Sequence, residues 1–292
     1  MAKIKYIIRK RAMGDVLWIE PIIRALAKKH SKLIVHTRFN SLFENYPLPN
    51  VIFKSKLNFF EKCLYNIEKL CGISLFTICL DNVYEKDPGI HFLHAYQKHA
   101  GLPLKNEYPQ LYLSAKEKEQ QVPGSKYVVL HIESFSEKNF RSVEGINWNE
   151  VVLYFRNLGY DVVQLSLKND VLANTTWKPT SIREIMSLIY NADCFVGIDS
   201  GPSHFAASLS IPSIIIFGSI NPALRHFPEL FQGRLLKQAC DTGCTTFDVA
   251  HISEHTCSSL TVGNVPRCCV YTTQTVIREL NNLLEKNVSE NS

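Results

Sequence analysis

The feature that most restricts the fold of this chain is the alternation in its second half. YVVLHIE (127–133), DVVQLSL (161–167), CFVGI (194–198) and SIIIFG (213–218) are short, nearly continuous apolar runs rich in β-branched residues. Between them lie segments with apolar residues at helical spacing, Trp148 to Leu158, Ser181 to Asn191 and His204 to Leu209. Strands buried on both faces read as unbroken apolar runs, and parallel neighbours need a crossover between them. The strict order of strand, helix, strand therefore predicts a parallel sheet covered by helices on both faces.

The first half repeats the pattern more loosely. A β-like run from Lys5 to Arg9 leads through a turn at Ala12-Met13-Gly14-Asp15 into a helical segment, Val16 to His30, in which Pro21 predicts a kink or a late start. Strands at LIVHT (33–37) and VIFK (51–54), a helix from Phe59 to Cys71 and a strand from Leu75 to Leu80 follow. A short amphipathic helix then stops at Gly101-Leu102-Pro103. The polar stretch SAKEKEQQVPGSK (114–126) reads as an interdomain linker, and a helix from Thr275 to Lys286 closes the chain. The expectation is an α/β protein of two doubly wound domains, residues 1–120 and 121–292, facing across a cleft. Ligands in such sheets sit at the carboxyl ends of the strands.

Composition narrows the partners. With 46% hydrophobic and 20% charged residues the 292-residue chain is a soluble globular protein rather than a disordered one. A net charge of +5, from 32 basic and 27 acidic residues, favours anionic substrates or an acidic membrane surface and does not point to nucleic acid. Neither a secretory signal nor a run approaching the roughly 18–20 apolar residues of a membrane span is visible. A cytoplasmic protein is expected, with the basic N-terminus as a candidate for peripheral contact with the inner membrane.

The nine cysteines are an odd number, which favours reduced thiols over a disulfide framework. Cys63, Cys71, Cys79 and Cys194 stand among apolar neighbours and are expected to be small buried hydrophobes. Cys240, Cys244, Cys257 and Cys268 are separated by three, twelve and ten residues, with Cys269 competing for the last place and His251 and His255 as outside candidates. Four thiolates at such spacing suit structural zinc or iron, and reduced thiols without metal remain the alternative.

Two loops carry the chemistry. In FVGIDSGPSHFAASLSIPSIIIFGS, residues Asp199 to Ser203 join a strand to a helix. Unpaired N–H groups at a helix start favour phosphate, Gly201 allows close backbone approach, and Ser200, Ser203 and His204 add donors. The plainer alternative is that Asp199 or Ser203 only caps the helix. Gly14-Asp15 occupies the equivalent place in the first half, where Asp15 is either a cap or a general base.

MGDVLWIEPIIRALAKKH, GIDSGPSHFAASLSIPSIIIFGS and the closing segment ending RCCVYTTQTVIREL together resemble glycosyltransferase family nine, the bacterial heptosyltransferases. LDNVYEKDPGIHFLHAYQKHAGL is similar to a version of the family with Tyr-Glu after the fourth strand. The resemblance implies a GT-B fold and inverting transfer of a heptose from ADP-heptose, with no cofactor for the chemistry. Asp15 would be the base, Asp199 would bind donor hydroxyls, and Ser200 and Gly201 would lie against the phosphates. The acceptor would be a saccharide, a lipopolysaccharide core or a protein hydroxyl. Some relatives with similar cysteines carry a metal finger. The chain departs from the family at Asn147, where a phosphate-binding Lys is usual before Trp148. Lys138 and Arg141 are the nearest cations able to substitute, and Asp170 is the carboxylate nearest the expected ribose site. That departure leaves a different nucleotide sugar open as donor. A catalytically silent subunit that binds nucleotide or glycan is the remaining reading.

Overall fold

The computed structural model describes residues 4–87, 89–119, 126–133, 143–166, 171–177, 181–239 and 265–290. The chain divides into two compact units, Met1–Ser114 and Ala115–Ser292.

In the first unit β1 (Ile4–Ile8), β2 (Lys32–His36), β3 (Val51–Lys54) and β4 (Thr77–Cys79) form a sheet in the order β3-β2-β1-β4, and every described pair is parallel. The helical segment expected from Val16 to His30 is broken. It splits into α1 (Met13–Leu17) and α2 (Glu20–Ala27). Pro21 lacks an N–H and its ring would meet the carbonyl four residues back, so it sits near the start of a second helix instead of inside one long helix. Ile22, Ile23 and Leu26 of α2 and Ile7, Leu33 and Val35 of the sheet are all buried. α3 (Phe59–Cys71) follows β3 and α4 (Phe92–His99) follows β4.

In the second unit α5 (Ala115–Lys118) forms within the polar stretch after residue 114. It is fixed by Glu117, which accepts from Arg183 Nε at 2.7 Å. β5 (Tyr127–His131), α6 (Trp148–Asn157), β6 (Asp161–Gln164), β7 (Thr176–Trp177), α7 (Ile182–Tyr190), β8 (Cys194–Ile198), α8 (Gly201–Ser208), β9 (Ser213–Phe217), β10 (Gly233–Lys237) and α9 (Thr273–Glu290) complete it. The sheet order is β10-β9-β8-β5-β6-β7, parallel throughout. Strands form within the four expected runs, at Tyr127–His131, Asp161–Gln164, Cys194–Ile198 and Ser213–Phe217, and β7 and β10 are additional. Val128, Leu130, Val196, Ile214 and Ile216 of the sheet pack with Val151, Val152 and Phe155 of α6 and Val276, Leu280 and Leu283 of α9 in one core.

The four scattered cysteines do not share one environment. Cys194 is buried and Cys79 is half-buried, but Cys63 and Cys71 are exposed, because α3 turns its cysteine-bearing face outward.

Candidate functional site

Both strand-to-helix loops place an aspartate where the sequence puts it, and each builds a different environment around it. In the first unit the chain leaves β1 at Arg9 and reverses at Ala12, whose φ of 58° is rare for a residue with a Cβ. Asp15 therefore falls in the first turn of α1, where the helix dipole favours a negative charge. Its carboxylate is ion-paired with Arg9 Nη2, and the Tyr84 hydroxyl donates to it at 3.3 Å.

Arg9 itself is 3% exposed. It donates through Nη1 to the Leu80 carbonyl at 3.2 Å and lies 3.7 Å from Asp81 Oδ1, with its guanidinium carbon 5.7 Å from the ring centres of both Tyr84 and Tyr96. Burial opposes its charge, but the oxygens of Tyr96, Asp15, Tyr84 and Glu85 outweigh that, so the net shift of its pKa is upward. Burial likewise raises the pKa of Glu85, whose Oε2 is buried without a hydrogen-bond partner, as is the Tyr96 hydroxyl. The sequence reading missed Arg9, Tyr84 and Tyr96 as neighbours of Asp15. A cation at the end of an apolar strand and the Tyr84-Glu85 pair after the fourth strand were the available signals.

In the second unit Asp199 follows β8 and its N–H donates to the Ile216 carbonyl at 3.2 Å. The carboxylate is buried, and Oδ2 has no hydrogen-bond partner. His204 Nε2 lies 3.9 Å from Oδ1, and the His204 ring stacks on His226 with centroids 4.7 Å apart and planes 22° apart. His226 is fully buried. Burial first, then the neighbouring His204, pushes its pKa well below the usual histidine range, so it is neutral. Asp199, His204 and His226 offer ligand atoms within 4.8 Å of one another, a spacing that could hold a cation. Ring lone pairs lie in the ring plane, however, and nearly parallel stacked rings direct them side by side rather than at one point. The pair is better suited to holding the carboxylate in place.

Ser203 is a cap. Its hydroxyl accepts from the Ser200 N–H at 3.2 Å and donates to the Ser200 carbonyl at 2.7 Å, and the residue is fully buried. The Ser200 hydroxyl is 3.1 Å from His131 Nδ1. His131, which the sequence reading also missed, ends β5. Burial lowers its pKa to about 4, with Glu133 acting in the opposite direction. Gly197 makes this meeting of strand ends possible, since a Cβ there would lie 2.5 Å from the His131 carbonyl oxygen.

Asn147, where the family usually carries Lys, is engaged with its own surroundings. Its N–H donates to Thr273 Oγ1 at 2.8 Å and its side-chain amide to Glu150 at 2.7 Å. Lys138, Arg141, Asp170, Cys240, Cys244 and Cys257 lie outside the described residues. Cys268 is described and buried. The Cys269 thiol beside it, followed by Lys237, outweighs its burial and lowers its pKa below the usual thiol range.

Comparisons with known proteins bear on the family and the fold. Residues 90–228 match the family model of Glycosyltransferase family 9 (heptosyltransferase), just under half of the chain. The autotransporter heptosyltransferase Aah of Escherichia coli is 28% identical over 133 residues, covering 42% of this chain and only 33% of that protein, so the chain matches a third of that relative's length. Among solved structures, the iron-containing dodecameric glycosyltransferase TibC from enterotoxigenic E. coli H10407 aligns with a TM-score of 0.71 at 18% identity, covering 98% of this chain and 77% of that one. E. coli ADP-heptose lipopolysaccharide heptosyltransferase II aligns at 0.66 and 16%, covering 97% and 99%. At these identities the structural likeness speaks for the fold, two Rossmann-like α/β units of the GT-B type. The resemblance to glycosyltransferase family 9 is thereby shown over residues 90–228.

Proposed function

We propose that the protein is an inverting glycosyltransferase that moves a heptose from ADP-heptose to an acceptor hydroxyl. The observation that carries this reading is the buried Asp199 carboxylate, which keeps Oδ2 unspent beside a Ser-Gly helix start, inside the segment matched by the family. The carboxylate accepts from donor sugar hydroxyls. The backbone N–H groups at the start of α8, together with Ser200, stabilise the diphosphate as it leaves. Asp15, held by Arg9 and Tyr84, takes the proton of the attacking hydroxyl. The new bond forms from the acceptor oxygen to the anomeric carbon while the bond to the diphosphate oxygen breaks, and ADP departs with that electron pair. The TibC neighbour was also solved with ADP-D-β-D-heptose, which supports the donor chosen.

The name of the E. coli relative favours a protein hydroxyl of an autotransporter as acceptor over a lipopolysaccharide core. Cys240, Cys244, Cys257 and Cys268 are the residues that would hold iron or zinc, and the lowered pKa of the Cys268 thiol fits such a ligand. The metal would tie the segment together and take no part in the transfer.

The test is mass spectrometry of an acceptor incubated with purified protein and ADP-heptose. One heptose should be added, and Asp15→Ala should lower turnover about a thousandfold while ADP binding by calorimetry stays within about twofold. Turnover unchanged in that variant removes Asp15 from the mechanism. Because Asn147 supplies no cation to the donor phosphates, the same assay is run with a panel of other nucleotide sugars, and a faster donor among them would replace ADP-heptose in this reading.

A further inference from the structure

α3 is mounted the opposite way from an ordinary amphipathic helix. Its two carboxylates are buried, whereas Phe59, Phe60, Ile67 and Leu70 are exposed and Leu64 and Tyr65 half-buried. Glu61 accepts from the Asn58 N–H at 2.7 Å and from Lys54 at 2.8 Å, and Glu68 accepts from the Phe76 N–H at 2.6 Å. Glu61 through both oxygens and Glu68 through Oε1 help to fix the helix and the loop after it. Lys5 completes the attachment by donating to the Ser74 and Leu75 carbonyls, each at 2.9 Å.

What remains outside is apolar and cationic. Phe59 and Phe60 are each 81% exposed, Leu70 89% and Leu75 68%, with Ile67 beside them. Lys56, Lys62 and Lys69 are exposed as well, and residues 55–76 contain no acid other than Glu61 and Glu68. Two adjacent Phe side chains fully in water are not explained by shortage of polar surface, and contiguous patches of this kind mark docking surfaces. A second copy packed through this same face would bring Lys62 and Lys69 towards like charges, and a neutral apolar partner would leave them unused. Phenylalanine and leucine that can enter the acyl boundary, with lysines that reach the headgroups, match an anionic bilayer surface.

We propose that α3 and the loop through Phe76 dock the protein on the surface of membranes containing anionic lipid. The surface is distinct from both aspartate loops and independent of the transfer reaction. Lys5, one of the basic residues of the N-terminus, is bonded to that loop and adjoins the same surface.

The experiment is co-sedimentation of the full-length protein with phosphatidylcholine vesicles, with and without phosphatidylglycerol. The wild type should bind the phosphatidylglycerol vesicles, bind neutral ones far more weakly, and lose affinity as salt rises. The triple variant Phe59→Ser, Phe60→Ser, Leu70→Ser should bind at least about tenfold less, and Lys62→Glu with Lys69→Glu should abolish the preference for anionic vesicles. These side chains are exposed, so both variants should keep the wild-type circular dichroism spectrum and melting midpoint. Failure of the wild type to sediment with anionic vesicles overturns the proposal. So does equal binding by the triple variant, or light scattering that shows a wild-type oligomer dissolved by the triple substitution while neither protein binds lipid.

Discussion

The two aspartate loops arise from the same sequence pattern and end in opposite electrostatic states. Asp15 is held by a buried guanidinium and a tyrosine hydroxyl, and Arg9 is fixed in turn by the loop after β4. Asp199 is the more deeply buried of the two, yet one of its oxygens meets no donor, and its nearest support is a histidine at 3.9 Å backed by a neutral stacked ring. A carboxylate whose donors are supplied by the protein is being oriented. One that is buried with spare acceptor capacity is costly unless a ligand supplies the missing donor. In the proposed reaction the first loop would aim a base, and the second would offer its unpaired oxygen to substrate hydroxyls.

That contrast is broken or sharpened first by Arg9→Met. Removing one partner of a buried ion pair leaves the other uncompensated, so the first unit should lose about 3 kcal/mol. Hydrogen exchange by mass spectrometry should show it as faster opening of β1 and β2, with the second unit unchanged. Undiminished protection in β1 would mean that the pair contributes no net stability and that Asp15 is not held as described.

Asp199→Ala should do the reverse. It removes a buried oxygen that has no partner, so the melting midpoint should stay level or rise, while kcat/KM for ADP-heptose falls about a hundredfold, roughly 2.7 kcal/mol at the reaction barrier. The loss should appear in donor affinity by calorimetry as well as in turnover, unlike that of Asp15→Ala. A clear drop in midpoint without any loss of donor binding would place Asp199 with the structural caps.

The same contrast explains what could be read from the sequence. The parallel sheets were legible because runs such as CFVGI and SIIIF have one reading, a strand buried on both faces, and because both aspartates stand where strands end. β10 was not, since GRLLK is half polar and borders a turn. The break between α1 and α2 was only half visible, as Pro21 allows either a kink or a restart and packing chose the restart. Arg9 looked like one more charge in a basic N-terminus, and its burial depends on Tyr84 and Tyr96, about 75 and 87 positions away along the chain. His226 has no local pattern, since its role comes from stacking on His204. α3 was legible as a helix but not in its orientation. Its apolar face would ordinarily be placed in the core, and only the partners of Glu61 and Glu68 turn it outward.

The smallest expected effect tests how the second loop is held in place. His131 touches Ser200 and has a pKa of about 4 in the fold, against roughly 6.5 in an unfolded chain. Because the folded value is the lower one, the unfolded state takes up the proton first. The stability associated with neutral His131 is therefore complete above about pH 6.5 and declines as the pH falls from there towards 4, after which the slope levels off. By pH 5 the loss should be about 2 kcal/mol. His131→Asn keeps a polar atom near the position of Nδ1 but does not titrate. Its melting midpoint should start slightly below wild type at pH 7, by about the 1 kcal/mol of one weakened hydrogen bond, and then fall less steeply on acidification, so that the two curves cross. Parallel curves from pH 7 to pH 4 would show that His131 is not the group linking the second unit to pH. The hold on Ser200 would then come from the cap at Ser203 rather than from the strand beside it.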